Sequence, residues 1–144
     1  MEVRMFRKED MDRVLEIAVK YATFDSVTRE SDLRRAARYP RGFWVAEDEG
    51  KVVGFAFGKL KEVPEEVLER WRARKVAHVE LMAVIPSRRR HGIGTELLEK
   101  LLEEFKRARA DMVLLDCPAE AVGAAKLYSK MGFETRFQGM KKRL

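Results

Sequence analysis

The segment from residue 77 to residue 108 constrains the fold more than any other part of the chain. An apolar stretch that favours a strand, "AHVELMAVI", leads through Pro86 and the basic turn "SRRRHGIG" into a predicted helix over 92–108. The apolar side chains of that helix share one face; they are Ile93, Leu97, Leu98, Leu101, Leu102 and Phe105. Because such a helix buries its apolar face against another element, the pattern predicts a layered α/β fold.

The rest of the chain continues this alternation of strands and helices. Strands are predicted at "VRMF", in a hairpin "GFWVAEDEGKVVGFAFGKL" that turns at Asp48–Lys51, at "MVLLDC" and at the tail "TRFQGMKKRL". Helices are predicted after a capping Asp10, around Leu33 before Pro40, and through "AEAVGAAKLYSKMGF" up to Gly132. The stretch "PEEVLERWRARK" fits a short helix or an ordered loop. The expected architecture is an α/β sandwich around one central sheet.

Length and composition restrict the class of protein. A chain of 144 residues fits one domain, 1–144, with one core. No apolar run is long enough to span a membrane, and the N-terminus has no signal-peptide pattern. A single cysteine, Cys117, allows neither an intrachain disulfide nor a cysteine metal cluster. We therefore expect a soluble cytoplasmic protein, and the 38% charged residues with almost no Asn, Gln or Cys suggest a thermophile.

The net charge of +6 is compatible with nucleic acid, a membrane surface or a small anion as partner, or with a solvated surface alone. The densest unmatched cations, at 88–91, directly precede the helix start. The first N–H groups of a helix have no intrahelical partner, and the helix dipole adds partial positive charge there. The glycines at 92 and 94 let a phosphate approach the backbone.

These features predict an anion site to which Arg89, Arg90 and His91 add cationic contacts. The alternative is a tight basic turn that binds no anion. A nucleotide P-loop would need Gly-Lys-Ser/Thr, which is absent. A dinucleotide fold would need a small residue in place of Leu97 and more chain after Asp116. Both nucleotide classes are therefore excluded.

Two motifs resemble the GNAT N-acetyltransferase superfamily. The segment "VIPSRRRHGIGTELL" is similar to its R/Q-x-x-G-x-G/A motif at Arg89, Gly92 and Gly94. The segment "AAKLYSKMGFE" is similar to its A-x-x-L-Y-x-x-x-G-F motif; the matching residues are Ala124, Leu127, Tyr128, Gly132 and Phe133. The order of elements also fits, so the resemblance covers essentially the whole chain. It implies a mixed α/β fold whose central, mostly antiparallel sheet is splayed in the middle and has helices on both faces.

The resemblance also implies acetyl-coenzyme A as the acyl donor and no metal. In this family the pyrophosphate lies against the loop and helix start; the matching residues here are Arg89, Arg90, His91, Gly92, Ile93, Gly94 and Thr95. The pantetheine arm pairs like an added strand with the backbone of Met82, Ala83 and Val84, where this strand and "MVLLDC" splay apart. Ala121 departs from the family, which often has Asn there, and this removes a contact to cofactor or substrate.

Acetyl transfer to an amine needs a base and an acid, because the ammonium must lose a proton before attack and the departing thiolate needs one. By resemblance Tyr128 is the acid and also contacts the cofactor; a core tyrosine is the alternative. The base is Glu80, Asp116 or a water relay, since both carboxylates lie on otherwise apolar strands. Structural roles stay open for both: Glu80 could pair with His78 or an arginine, and Asp116 could cap the next helix.

The expected function is N-acetyltransfer from acetyl-coenzyme A, by direct attack, to a primary amine on a small molecule, a peptide N-terminus or a lysine. The alternative is a non-catalytic acyl-coenzyme A binding or regulatory domain on the same fold, which Tyr128 disfavours and Ala121 favours. Nucleic-acid binding is not expected, because no recognition helix or aromatic platform is present. We expect the acceptor to contact the first helices and residues 61–76, and the resemblance is compatible with a homodimer.

Overall fold

The computed structural model describes all 144 residues and contains one five-stranded sheet. Its strands are β1 (Glu2–Met5), β2 (Phe43–Asp48), β3 (Lys51–Lys61), β4 (Val76–Val84) and β5 (Met112–Leu115). They lie side by side in that order, and every neighbouring pair is antiparallel except β4 and β5, which are parallel. The sheet is therefore mixed and mostly antiparallel, as the resemblance to the GNAT superfamily implies.

Five α-helices accompany the sheet: α1 (Met11–Tyr21), α2 (Glu30–Ala36), α3 (Glu65–Trp71), α4 (Ile93–Arg107) and α5 (Val122–Lys130). The buried side chains of α1 and α2 pack with Phe43 and Phe55 in one core cluster. Those of α4 form a second cluster with Val53 and Val79. A third, small cluster beside α3 contains Ala73, Val76 and Leu114. Helices thus cover both faces, and none of them is long and apolar enough to cross a membrane.

Helix α4 has the apolar face that its periodicity predicts. It begins at Ile93, because the preceding Gly92 adopts a left-handed φ of 79° that ends the turn. Leu102 is half-buried at the edge of the face. The buried residues of the face are at most 3% exposed: Ile93, Leu97, Leu98, Leu101 and Phe105. Each such side chain stabilises the fold by about 1.5–3 kcal/mol relative to exposure, so this face fixes α4 on the sheet.

The hairpin between β2 and β3 turns where the sequence places it. Asp48 pairs with Lys51, and the two residues between them have left-handed φ angles, 51° at Glu49 and 76° at Gly50. Two consecutive positive φ values are typical of a type I′ turn, whose twist matches that of the flanking strands. Glycine at the second turn position adopts this conformation without strain.

The prediction that Asp10 caps α1 through its side chain is wrong. Asp10 does precede the helix, but its carboxylate makes no capping bond. It accepts hydrogen bonds from both terminal nitrogens of Arg4, at 2.8 and 3.0 Å, and from the backbone N–H of Arg7 at 2.8 Å. The Arg4 guanidinium and the Arg7 N–H thus occupy the carboxylate in place of the first N–H groups of α1, and the contact with Arg4 is the stronger one because both of its partners are charged.

The predicted final strand in the tail is also wrong, since no helix or strand follows α5. In an extended conformation Phe137 and Met140 would point to opposite faces, so the tail has no apolar face to bury. Both side chains are exposed. Arg136 instead lies between two rings, 5.3 Å from the Trp71 ring and 4.6 Å from the Phe137 ring, which brings the tail against α3.

Candidate active site

A β-bulge in β4 lies where the sheet opens. The register of β3 with β4 passes from Phe57 opposite Leu81 to Gly58 opposite Val79, which leaves Glu80 without a partner. On the other side of β4 the pairing with β5 ends at Val79 opposite Leu115. From Glu80 to Val84 that side of β4 has no neighbouring strand, so the splay that the resemblance implies is present. No signal in the sequence marks the bulge.

The open side of β4 presents the backbone of alternate residues. The N–H of Ile85 donates to Val53 on β3, so the backbone groups of Val84 and Met82 point away from β3 and those of Ala83 point toward it. The carbonyl of Val84 accepts a 2.9 Å hydrogen bond from Nε of Arg89, which agrees with this alternation. A ligand that pairs with this strand would therefore meet the N–H and C=O groups of Met82 and Val84.

The start of α4 lies directly after this strand and is not capped by any side chain. The first hydrogen bond of the helix runs from the N–H of Glu96 to Gly92, so the N–H groups of 93–95 have no protein acceptor. A Cβ at Gly92 would meet nothing within 4 Å, whereas one at Gly94 would lie 3.2 Å from Leu127 of α5. The two glycines thus differ: Gly92 provides the turn and Gly94 the close approach of α5.

The three arginines and the histidine of residues 88–91 have different surroundings. Arg88 donates to Asp48 at 2.9 Å and is held by the β2–β3 turn. Arg89 donates to Val84 and lies 5.9 Å from the ring of Tyr21 in α1, a contact that has no signal in the sequence. Arg90 and His91 are exposed and form no ion pair or hydrogen bond, which leaves them available to an anion.

Tyr128 in α5 is the tyrosine of the second motif, and its hydroxyl makes no hydrogen bond to the protein. Its ring packs edge-on to Phe133 at 5.9 Å. The only buried side-chain polar atom without a partner is Nε of Arg4, so the Tyr128 hydroxyl is not completely buried. Burial of the ring, together with the neighbouring Cys117, raises the pKa of Tyr128 to about 12. The hydroxyl therefore stays protonated at neutral pH and is able to donate.

Glu80 is held by charged neighbours at the bulge. Its Oε1 lies 3.3 Å from Nδ1 of His78 and 3.8 Å from Nζ of Lys59. The contact with His78 lowers the pKa of Glu80, partial burial opposes this, and the charges of Lys59 and Lys61 lower it further. Glu80 is thus a carboxylate at neutral pH, and the pairing with His78 that the sequence left open is present.

Asp116 and Cys117 follow the end of β5, and both are exposed. The carboxylate of Asp116 has no hydrogen bond or ion pair, and α5 has no side-chain cap, so Asp116 does not cap that helix. The Cys117 thiol lies 3.7 Å from the carbonyl of Pro118 and 3.8 Å from that of Ala121. Although the residue is exposed, partial burial of its thiol and the charge of Glu120 raise the pKa of Cys117, which disfavours the thiolate.

Comparison with known proteins identifies this arrangement. The sequence profile of the Acetyltransferase (GNAT) family matches residues 11–133. The chain belongs to this family. An N-alpha-acetyltransferase of Sulfurisphaera tokodaii is 31% identical over 140 residues, which cover 92% of this chain and 79% of the relative.

Solved structures agree with this assignment. Naa20 of Chaetomium thermophilum, in complex with a bisubstrate analogue, has a TM-score of 0.76 and 31% identity, with 92% of this chain and 70% of that chain covered. A mutant of the BH1408 protein from Bacillus halodurans has a TM-score of 0.81 over 100% of this chain and 99% of its own, and at 22% identity it supports the fold alone.

The GNAT assignment means that the chain is an N-acetyltransferase, an enzyme that transfers an acetyl group to an amine. The family generally uses acetyl-coenzyme A. No finding favours the non-catalytic alternative. No group of His, Cys, Asp and Glu side chains in the chain is arranged to hold a metal ion.

Proposed function

We propose that the chain transfers the acetyl group of acetyl-coenzyme A to the α-amino group at the N-terminus of a peptide or protein. The observation that carries the proposal is the open side of β4 beyond the Glu80 bulge, directly beside the uncapped start of α4. This arrangement offers a strand edge and a helix N-terminus to one extended anionic ligand. The names of the relatives support the acceptor class.

The residues present fit acetyl-coenzyme A. The free N–H groups of 93–95, with Arg90 and His91 beside them, would hold the pyrophosphate. Arg89 would contribute from its position on Val84. The outward backbone groups of Met82 and Val84 would pair with the amides of the pantetheine arm, and Ala83 between them would keep the strand on β3.

An α-amine suits the carboxylates of this site better than a lysine does. The pKa of an α-amino group is about 7.7–8.0 and that of a lysine about 10.4, so an α-amine is partly neutral at physiological pH. Glu80 has a pKa below its ordinary value and is a weak base. The transfer of a proton to Glu80 would therefore cost much more free energy from a lysine than from an α-amine.

The proposed roles follow from these contacts. The base is Glu80, Asp116 or a water relay, and it takes the proton of the ammonium group. The hydroxyl of Tyr128 donates its proton to the departing sulfur. The acceptor would approach from the sheet face that carries α1, α2 and α3, where Trp71 and Arg136 lie against each other.

The test is acetylation of paired peptides, followed by mass spectrometry. One peptide has a free N-terminus and no lysine; the other has a blocked N-terminus and one lysine. We expect acetyl-coenzyme A-dependent product from the first and little from the second. Product from the lysine peptide alone, or from neither peptide, would contradict the proposal.

Gly92→Glu tests the donor site and has a matched control in Gly50→Glu. Both glycines have a left-handed φ, 79° and 76°, and neither has an atom within 4 Å of an added Cβ. The two variants therefore carry similar backbone strain and the same added charge. We expect Gly92→Glu to lose affinity for acetyl-coenzyme A and Gly50→Glu to keep it, as measured by calorimetry. Equal affinities in two folded variants would place the phosphates elsewhere.

The remaining expectations from the sequence stay predictions. These are a single N-acetyltransferase domain over 1–144, a cytoplasmic location, a thermophilic source and a homodimer. The archaeal relative from Sulfurisphaera tokodaii supports the thermophilic source. A melting temperature measured by calorimetry and a mass measured by light scattering would test the source and the dimer.

A further inference from the structure

Two titratable side chains face the acceptor side of the sheet in a gap between core clusters. Ala77 and Val79 point toward α4, so His78 between them points to the opposite face. Glu80 contacts His78 and therefore lies on that face as well. The cluster of α1 and α2 lies to one side of the pair and the cluster of α3 to the other.

The two side chains of the pair are in ion-pair contact. Nδ1 of His78 faces Oε1 of Glu80 at 3.3 Å, and the two side chains are 17% and 33% exposed. Nε2 of His78 makes no hydrogen bond to the protein. Since Nε of Arg4 is the only buried side-chain polar atom without a partner, Nε2 is open to solvent. One ring nitrogen thus lies beside a carboxylate, and the other has no protein partner.

The other groups around the pair supply charge but no competing base. Lys59 lies opposite His78 in β3, and its Nζ is 3.8 Å from Glu80. Lys61 is further along the same strand, and its charge also acts on Glu80. On β5 the residue opposite His78 is the apolar Leu114. Both lysines are cations and stabilise Glu80 as a carboxylate rather than take a proton from an amine.

We propose that His78 is a catalytic residue of the acetyl transfer, with Nε2 as the atom that takes the proton from the acceptor ammonium and Glu80 as the carboxylate that orients the ring through Nδ1. The inference rests on the proposed function and refines its base. It uses the same logic as a carboxylate–histidine pair in hydrolases, in which the carboxylate fixes the tautomer and stabilises the imidazolium. A paired carboxylate of lowered basicity is better suited to this orienting role than to holding the proton itself.

The proposed step conserves protons. Neutral His78 takes one proton from the ammonium group, R–NH3+, which becomes R–NH2 and forms the new C–N bond. Tyr128 donates its proton to sulfur as the C–S bond breaks, and it recovers one from the product nitrogen. His78 then returns its proton to solvent. The sum is one amide, one thiol and one released proton from an ammonium and a thioester.

The kinetic test uses His78→Asn, because the amide nitrogen of Asn occupies the position of Nδ1 and retains a donor toward Glu80 while Nε2 is lost. We expect kcat with the free N-terminal peptide to fall roughly 10²–10⁴-fold, the usual contribution of a general base. The affinity for acetyl-coenzyme A should stay unchanged. If His78 only positions Glu80, His78→Asn keeps its kcat, and that result would overturn the proposal.

The second test does not depend on turnover. The chain has two histidines, so nitrogen-15 NMR of the wild type and of His91→Asn assigns the ring of His78. The proposal requires the neutral ring to carry its proton on Nδ1 and none on Nε2. A proton on Nε2 would overturn it even where the peptide assay succeeds. Failure of the peptide assay with the expected tautomer would contradict the proposed acceptor and leave the orientation of His78 supported.

Discussion

Two regions of the molecule differ in whether their polar side chains have hydrogen-bond partners in the protein. In the closed region, which comprises β1, β2 and the C-terminal half of α4, buried charges are bonded to each other. Arg4 is bonded to Asp10, and Glu104 accepts hydrogen bonds from Tyr39 and Arg107. In the open region, where β4 and β5 separate, Tyr128, Asp116 and Nε2 of His78 have no hydrogen-bond partner in the protein.

This difference in hydrogen bonding assigns the closed region to stability and the open region to catalysis. Charged groups in the closed region are paired with each other, and only Nε of Arg4 lacks a partner there, so removing one member of a pair leaves a buried charge and costs stability. Groups in the open region have a free donor or acceptor and contribute little to the folded state, but they can act on a ligand. Matched variants in the two regions should therefore differ in whether they lose stability or rate.

The largest effect is expected for Tyr128→Phe. The ring and its contact with Phe133 remain, and the lost hydroxyl has no protein partner, so stability should change by less than about 1 kcal/mol. The rate should fall roughly 10²–10⁴-fold in a coenzyme A release assay when the chemical step is rate-limiting, because the proton donor is gone. Affinity for acetyl-coenzyme A should change little.

Tyr39→Phe is the matched control for Tyr128→Phe. Burial of Tyr39 and its hydrogen bond to Glu104 raise its pKa to about 12, so both hydroxyls are neutral donors. Tyr39→Phe removes a partner of the buried Glu104 and should cost about 1–3 kcal/mol of stability with the rate intact. A reduced rate in Tyr39→Phe, or an unchanged rate in Tyr128→Phe, would contradict the division into a region for stability and a region for catalysis.

A smaller effect, on stability alone, is expected for Arg4→Met. Arg4 and Asp10 are 9% and 7% exposed, so the variant leaves a buried carboxylate without its cation and should lose about 3–5 kcal/mol in denaturant unfolding. Arg34→Met is the control, because the ion pair of Arg34 with Glu30 is exposed and should be worth less than about 0.5 kcal/mol. Equal losses in the two variants would contradict the role assigned to burial.

The same pair predicts a pH dependence. Burial raises the pKa of Asp10, but the hydrogen bonds from Arg4 and Arg7 outweigh burial, and the net pKa is lowered. A lowered folded-state pKa adds stability above the unfolded pKa, and this stability is lost as pH falls through the lower folded value. Unfolding free energies of wild type and Arg4→Met should therefore converge in acid. Curves that stay parallel down to strongly acidic pH would disagree with this coupling.

The smallest effect is expected for Asp116→Asn. The carboxylate is exposed and unpaired, and no contact orients it toward the bulge. If His78 takes the proton and Glu80 orients its ring, Asp116→Asn should keep kcat and stability within experimental scatter. Glu80→Gln should then lose most of its rate. A large loss in Asp116→Asn would make Asp116 the base.

Much of the fold follows from patterns that the sequence displays. The periodic apolar face of α4, the hairpin turn at Glu49–Gly50 and the glycine that ends α5 are local signals, and each is present in the structure. The strand prediction for the tail failed because Phe137 and Met140 would point to opposite faces, which leaves the segment no apolar face to bury. The cap prediction failed because Arg4, six residues earlier on β1, binds the Asp10 carboxylate in place of the first N–H groups of α1.

The site was predictable only in part. Motif spacing indicates the loop and Tyr128, since these depend on residues close in sequence. The bulge at Glu80, the contact of Gly94 with Leu127 and the position of Arg89 on Tyr21 depend on register and packing between distant segments. A single sequence carries no local mark of such contacts.

Amide hydrogen exchange with and without acetyl-coenzyme A tests the central contrast most directly. In the free protein the outward amides of Met82 and Val84 and those of 93–95 lack protein acceptors, so they should exchange quickly. We predict that saturating acetyl-coenzyme A slows these amides strongly and leaves the amides of the closed region, from Arg4 to Asp10 and around Glu104, nearly unchanged. No protection at Met82, Val84 and 93–95, or equal protection in the closed region, would contradict the account.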